Sequence, residues 1–255
     1  MKKLKKLISL TLVFAMMGTL ITGCGKSSND STKFLIATDT TFAPFEFEEN
    51  GKMVGIDMDI LAAIAEDQGF EYELKTLGFN AAITALESRQ VDGVIAGMSI
   101  TSEREEKYNF STPYYEAGVI MAVKAGNTSV KGYDDLKGQT IAVKTGTQGS
   151  DYAESIKDKY GFDVKYFEDS SSMYDEVLTG NSAACFEDFP VVAYAITQGL
   201  GLTVIGEQSN QTSFGFAVNK GKNEELLNMF NKGLENIKGN GIYQDIIDKY
   251  TNNAE

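Results

Sequence analysis

A chain of 255 residues without a single histidine has no Ser-His or Cys-His nucleophile, no imidazole base and no His-ligated metal. Its formal net charge of −13 argues against nucleic acid or another polyanion as partner. Its two cysteines, Cys24 and Cys185, allow at most one disulfide, so the domain has to rely on a hydrophobic core, for which about 230 residues beyond the leader suffice.

The first predicted element is a secretion signal. Lys2, Lys3, Lys5 and Lys6 precede an apolar run from Leu7 to Leu20, shorter than the ~20 residues that a permanent membrane helix needs. Ile21-Thr22-Gly23-Cys24 follows and resembles the lipobox of bacterial lipoproteins, which implies cleavage before Cys24 and acylation of its thiol. Two or more acyl chains make a stable membrane anchor. Residues 1–23 are expected to be the signal peptide, and 24–33 the lipidated cysteine with a polar tether. Losing four lysines takes the net charge to −17. An acylated Cys24 leaves no partner for Cys185, which is expected to be buried in a strand.

Beyond the tether, short apolar runs alternate with segments of helical period, the pattern of an α/β protein. Phe34–Thr38 is predicted as a strand, and Asp57–Gln68 as a helix with Ile56, Ile60 and Ile64 on one side and Gly69 past its end. Asn80 is expected to cap a second helix bearing Ile83 and Leu86, with a strand at Val94–Ala96. The order returns downstream as strand Thr140–Val143, helix Asp151–Lys159, strand Val164–Phe167, helix Met173–Thr179 and strand Ser182–Phe186. Two similar α/β lobes are expected, one from residues 34–117 with 214–255 and the other from 118–213. Extended stretches at Gly118–Lys124 and Ser213–Val218 read as hinge strands, and helices Glu224–Lys238 and Ile242–Tyr250 should pack on the first lobe.

Open α/β sheets bind ligands beyond the carboxyl ends of their strands, and two facing lobes share such a cleft. Asp39, Gly97, Ser99, Lys144 and Asp188 each follow or finish a predicted strand. Arg104 falls in the first turn of a helix capped by Thr101 or Ser102, where the macrodipole favours acidic side chains. Two readings are open to it: a solvated arginine among Glu103, Glu105 and Glu106, or a group that joins the helix amides in holding a carboxylate. Asp188 also has two. It directly precedes Phe189-Pro190 and could cap the next helix, or it could face a ligand cation.

Four segments then stand in order: Thr38-Asp39-Thr40-Thr41-Phe42-Ala43-Pro44-Phe45-Glu46-Phe47, Gly55-Ile56-Asp57-Met58-Asp59, Gly97-Met98-Ser99-Ile100-Thr101-Ser102-Glu103-Arg104 and Phe110-Ser111-Thr112-Pro113-Tyr114-Tyr115. Together they resemble the polar amino-acid branch of the type 2 periplasmic solute-binding proteins of ABC transporters, most closely its glutamine-binding members, from Phe34 to Tyr250. The resemblance implies a two-lobed α/β fold with a ligand cleft between the lobes. It also implies a monomer without metal or cofactor that captures a free L-amino acid by lobe closure and delivers it to a permease on the extracytoplasmic face.

Carried over residue by residue, the resemblance assigns the ligand's α-carboxylate to Arg104 and Ser99. Its α-ammonium goes to Asp188, the Gly97 carbonyl and the Ser99 hydroxyl. Phe42 and Phe79 match the aromatic pair around the aliphatic portion, and Asp39 and Lys144 surround the side chain. The loop carrying Thr147 and Gln148 opens a helix whose amides would complete the carboxylate pocket. An acceptor, Asp39, beside a donor, Lys144, matches an amide, so glutamine is the expected ligand, with arginine and glutamate as alternatives. The chain departs from glutamine-binding members at Glu187, where they carry histidine, and at Gln148, where they carry glycine; both changes bear on selectivity. Two other classes remain open: a dehydratase-like enzyme using Glu187 and Asp188 as an acid pair, and a sensor module that reports occupancy to a separate membrane partner.

Overall fold

The computed structural model describes residues 33–251; the signal segment and Cys24 lie outside the described residues. Strand β1 (Lys33–Thr38) leads into a small antiparallel sheet of β2 (Thr41–Phe42), β3 (Glu46–Glu49) and β4 (Lys52–Val54). Then come α1 (Ile56–Gln68), β5 (Glu71–Thr76), α2 (Phe79–Glu87), β6 (Gly93–Val94), α3 (Ser102–Lys107) and β7 (Tyr108–Phe110). The middle of the chain supplies β8 (Tyr115–Lys124), β9 (Thr140–Lys144), α4 (Gln148–Tyr160), β10 (Asp163–Phe167), α5 (Ser170–Leu178), β11 (Ala184–Asp188), α6 (Phe189–Thr197) and β12 (Leu202–Phe214). It closes with β13 (Ala217–Asn219), α7 (Glu224–Gly239) and α8 (Ile242–Thr251).

Two five-stranded sheets carry the two lobes. The first has the order β5-β1-β6-β13-β7, with β1 parallel to β5 and β6 and with β13 antiparallel to β6 and β7. The second has the order β10-β9-β11-β8-β12, with β9 parallel to β10 and β11 and with β8 antiparallel to β11 and β12. Both sheets thus have a parallel half whose carboxyl ends gather chemistry: Asp39 follows β1, Lys144 ends β9 and Asp188 ends β11.

The isoleucine stripe of α1 is buried in one cluster with Phe230, Leu234 and Ile237 of α7, which fixes the C-terminal helices on the first lobe. The helix stops where its sequence lacks a Cβ, at Gly69 with φ 71°, whose N–H bonds Ala65 O at 2.9 Å. Its start depends on Gly55, at φ 131°, where a Cβ would lie 2.1 Å from the Phe45 carbonyl oxygen. That close approach lets the Ile56 and Asp57 amides donate to Pro44 O and Phe45 O, both at 2.9 Å. Gly55→Ala is expected to lose roughly 2–5 kcal/mol through backbone strain plus overpacking, read as a Tm drop of at least about 4 °C by scanning calorimetry. An unchanged Tm would mean that the helix start does not need this contact.

Several predicted boundaries move. The second helix begins at Phe79, with Gly78 at φ 80° in the cap position and no side-chain cap, so Asn80 is an interior residue. Only Gly93–Val94 pairs where Val94–Ala96 was expected, because Gly97, at φ 51°, turns the chain soon after. Helices α4 and α5 start earlier than their apolar residues indicate, capped by Thr147 and Asp169, whose side chains accept from Ser150 N and Ser172 N. Strand β12 extends over a polar stretch without strand periodicity; it is held by pairing with the apolar β8 and carries two register shifts.

Candidate functional site

One small cavity, of only about 10 Å³, is lined by residues from both lobes: Asp39, Phe42, Phe79, Gly97, Ser99 and Arg104 from the first, and Lys144, Thr147, Gln148 and Asp188 from the second. All but one of the residues singled out from the sequence therefore meet. Glu187 is the exception. A larger surface groove of about 620 Å³ has Glu116 as its sole charged lining residue. It lacks the opposed charges gathered in the small cavity.

Arg104 reaches the cavity because α3 is capped by Thr101, whose hydroxyl accepts the Arg104 N–H at 3.2 Å. Its Nη1 donates to Ser99 O and its Nη2 to Gly146 O, both at 2.9 Å, the second bond crossing between lobes. A guanidinium has five N–H groups, so most of its donating capacity is left for a carboxylate. Burial holds its pKa below the ordinary value, with Asp151 and Asp188 opposing that shift; the group stays charged at neutral pH. The Arg104 guanidinium lies 5.5 Å from the Phe79 ring centroid and the Lys144 ammonium 5.1 Å from that of Phe42, so each aromatic ring serves a cation. Gly97 permits the Phe42 placement: a Cβ there would lie 2.3 Å from the ring.

Asp188 occupies the cap position of α6 yet makes no capping hydrogen bond, which removes the capping reading. Its Oδ1 is buried without a donor. Burial first, and then Glu187 beside it, push its pKa up to about 8, against the pull of Arg104 and Lys144. A buried carboxyl without a partner, aimed into a cavity, is ready for a cation. The Gln148 Oε1 is likewise buried and unpaired. The Thr147 hydroxyl is committed, donating to Lys144 O at 2.8 Å and accepting from Ser150 N at 3.3 Å, so Thr147 shapes the loop and leaves its hydroxyl unavailable.

Asp39 and Lys144 were expected to stand apart around a ligand side chain. They form a direct ion pair across the lobes instead, each only 1 % exposed. Ser170, unnoticed in the sequence, lies 3.4 Å from the Lys144 ammonium and donates to Glu187 Oε2 at 3.1 Å. Tyr174 donates to the same oxygen at 3.3 Å, and the Asp188 amide to Glu187 Oε1 at 3.0 Å. Glu187 therefore sits behind the lining with its oxygens occupied. Neither Ser170 nor Tyr174 carried a sequence signal, since each lies on a helix face whose partner is a distant strand. Another cross-lobe bond runs from Ser170 N to the Thr41 hydroxyl at 3.3 Å.

Residues 34–253 match the family described as bacterial extracellular solute-binding proteins, family 3. The chain belongs to that family. Its two lobes are those of the type 2 periplasmic-binding-protein fold. This solute-binding protein is 30% identical over 246 residues to the arginine-binding extracellular protein ArtP of Bacillus subtilis (strain 168), covering 94% of this chain and 96% of the relative. It is similar to an ancestral arginine-binding protein solved with glutamine, at 39% identity and a TM-score of 0.79, over 86% of this chain and 97% of that one. The same ancestral protein bound to arginine matches at the same identity and TM-score, over 86% and 98% of the two chains. Among the described residues of this solute-binding protein, no helix is long and apolar enough to cross a membrane.

Proposed function

We propose that this solute-binding protein captures a free polar L-amino acid, glutamine in preference to others, between its lobes and delivers it to the permease of an ABC importer. The observation that carries this reading is the pairing of Arg104 on one lobe with the unpartnered Asp188 on the other, in one cavity. An α-amino acid presents a carboxylate and an ammonium on adjacent atoms, and these two side chains are their complements. Closure is then a population shift, since each lobe holds half of the contacts.

The preference for glutamine rests on charge balance. Arg104 and Lys144 offset Asp188 and Asp39, so a zwitterion with a neutral side chain leaves the dry cavity neutral. Its amide can accept from Lys144 and donate to Asp39, taking over both ends of the buried pair. Glutamate or arginine would add one uncompensated charge. Glu187, the group that would tilt the balance toward a cation, stands behind the lining, where Ser170, Tyr174 and the Asp188 amide hold its oxygens and burial disfavours its charged form. The same engagement argues against an acid catalyst at Glu187 and so favours binding over chemistry. Arginine is the second reading, supported by the name of the Bacillus relative. Calorimetric titration against the standard amino acids tests both: glutamine should bind ahead of glutamate and arginine by roughly tenfold to a hundredfold. Tighter binding of arginine would overturn the glutamine assignment, and binding of no amino acid would overturn the whole reading.

The same reading takes residues 1–23 as a lipoprotein signal and Cys24 as the acylated anchor at the extracytoplasmic face. It takes residues 34–117 with 214–255 as the first lobe and 118–213 as the second.

Asp188 also makes the affinity depend on pH. A ligand ammonium stabilises the ionised carboxylate, whereas without it the group titrates near 8. Below pH 8 binding must expel a proton, so affinity should rise with pH by up to about tenfold per unit from pH 6 and level off near 8. Calorimetry at pH 7 in buffers of different ionisation enthalpy should report proton release, and Asp188→Asn should abolish it. Proton uptake on binding would remove Asp188 from the ammonium site.

A further inference from the structure

Behind Phe42 and Gly97 lie two carboxyl groups that the proposed binding contacts leave out. Glu46 on β3 and Asp57 on α1 are both fully buried, and the two carboxyls are close enough for each to shift the other's pKa. Asp57 Oδ2 accepts the Gly97 N–H and the Tyr114 hydroxyl, each at 2.8 Å. With both groups ionised, Asp57 Oδ1 and both Glu46 oxygens would be buried with no donor at all. One proton between the two carboxyls gives Asp57 Oδ1 its donor, engages one Glu46 oxygen as that donor and removes a charge from the interior.

We propose that Glu46 is a positioning residue: as a neutral acid it donates to Asp57 and thereby holds the Gly97 turn, with the Phe42 ring above it, in the geometry that the ligand cleft requires. This rests on the amino-acid-binding reading for its functional consequence, but the hydrogen-bond chain itself does not. Glu46 is placed for the task by its β3 pairing with Phe42 of β2. The amides of Ile56 and Asp57 anchor the opposite side of the pair to the Pro44 and Phe45 carbonyls. The charged and titratable groups facing Glu46 are Asp57, Asp39 and Lys144, with the Tyr114 phenol beyond Asp57. Burial, then Asp57 and then Asp39 raise the Glu46 pKa well above the carboxylate range, and Lys144 opposes them only weakly. Asp57 is raised less, to about 6, because the Gly97 amide and the Tyr114 hydroxyl stabilise its anion. The proton therefore belongs on Glu46 and the negative charge on Asp57.

Two variants of the full domain separate this from simple core filling. Glu46→Gln keeps a donor for Asp57 and cannot ionise, whereas Glu46→Leu keeps the volume and removes the donor. In the wild type, the Glu46 carboxyl carbon, assigned by its loss in Glu46→Gln, should stay at the protonated-acid position in carbon NMR from pH 5 to 8. The Gly97 amide resonance should be preserved in Glu46→Gln and displaced in Glu46→Leu. With L-glutamine and L-arginine as probes, Glu46→Gln should bind within about threefold of wild type and Glu46→Leu at least about tenfold more weakly. An ionised Glu46 at pH 7, an unmoved Gly97 amide in Glu46→Leu, or a tenfold loss in Glu46→Gln would each overturn the proposal. If Glu46→Leu does not fold, the carboxyl resonance and Glu46→Gln decide the matter. If the wild type binds neither amino acid, the functional reading fails while the two NMR signals still test the hydrogen-bond chain.

Discussion

Arg104→Ala is expected to weaken amino-acid binding a hundredfold to several thousandfold. The bound carboxylate would be left in a closed cavity without its counter-charge, and breaking one side of a buried charged pair costs about 3–5 kcal/mol. The guanidinium also ties the lobes together through Gly146 O and steadies the strand end at Ser99 O, so its removal loosens the closed form as well. Arg104→Lys should recover only part of the loss, since an ammonium cannot present two parallel N–H groups to one carboxylate. Titration calorimetry with circular dichroism as a folding control measures this. A loss under about tenfold with the fold intact would mean that Arg104 does not meet the ligand.

Lys144→Met is expected to reverse the order of ligands. It strips Asp39 of its partner in a place where each side chain is only 1 % exposed, which should lower stability by about 3–5 kcal/mol. The uncompensated anion should then draw a cationic side chain, so that arginine overtakes glutamine by at least about tenfold. Asp39→Asn in the same chain should restore much of the stability, and the cycle of single and double variants isolates the coupling. An unchanged ligand order in Lys144→Met would place side-chain recognition elsewhere in the cavity.

How far the sequence alone leads differs between fold and site. Helix α1 was legible because its isoleucine spacing and the glycine beyond it are local facts, and so were the parallel strands ending at Thr38 and Lys144. Strand β12 was not, because its polar centre is held by β8, a partner some 85 residues away in sequence, and no local pattern reports that. The start of α2 was misread for a related reason: Asn80 has the right chemistry for a cap, but the backbone bend is made by Gly78. At the site, the cavity lining was foreseen almost entirely, through strand ends and the resemblance to a family. What escaped was how those side chains spend their hydrogen bonds. Asp39 pairs with Lys144, the Thr147 hydroxyl is shared between the end of β9 and the first turn of α4, and Glu187 turns to Ser170 and Tyr174. Such allocation depends on distances of a few tenths of an ångström between side chains of different elements, which residue types cannot encode.

The order of strands in the two sheets has a consequence for how the chain assembles. Residues 33–110 supply four strands of the first sheet, but β6 and β7 are joined only through β13, which arrives at residue 217. Residues 115–214 contain every strand of the second sheet, and their two ends are register partners, Tyr115 with Phe214. A polypeptide emerging amino end first can therefore finish its middle before its beginning. The amino-terminal third must wait as an open, incompletely paired sheet while a complete neighbour forms within the loop between its halves, and the last forty residues turn that pause into a finished molecule.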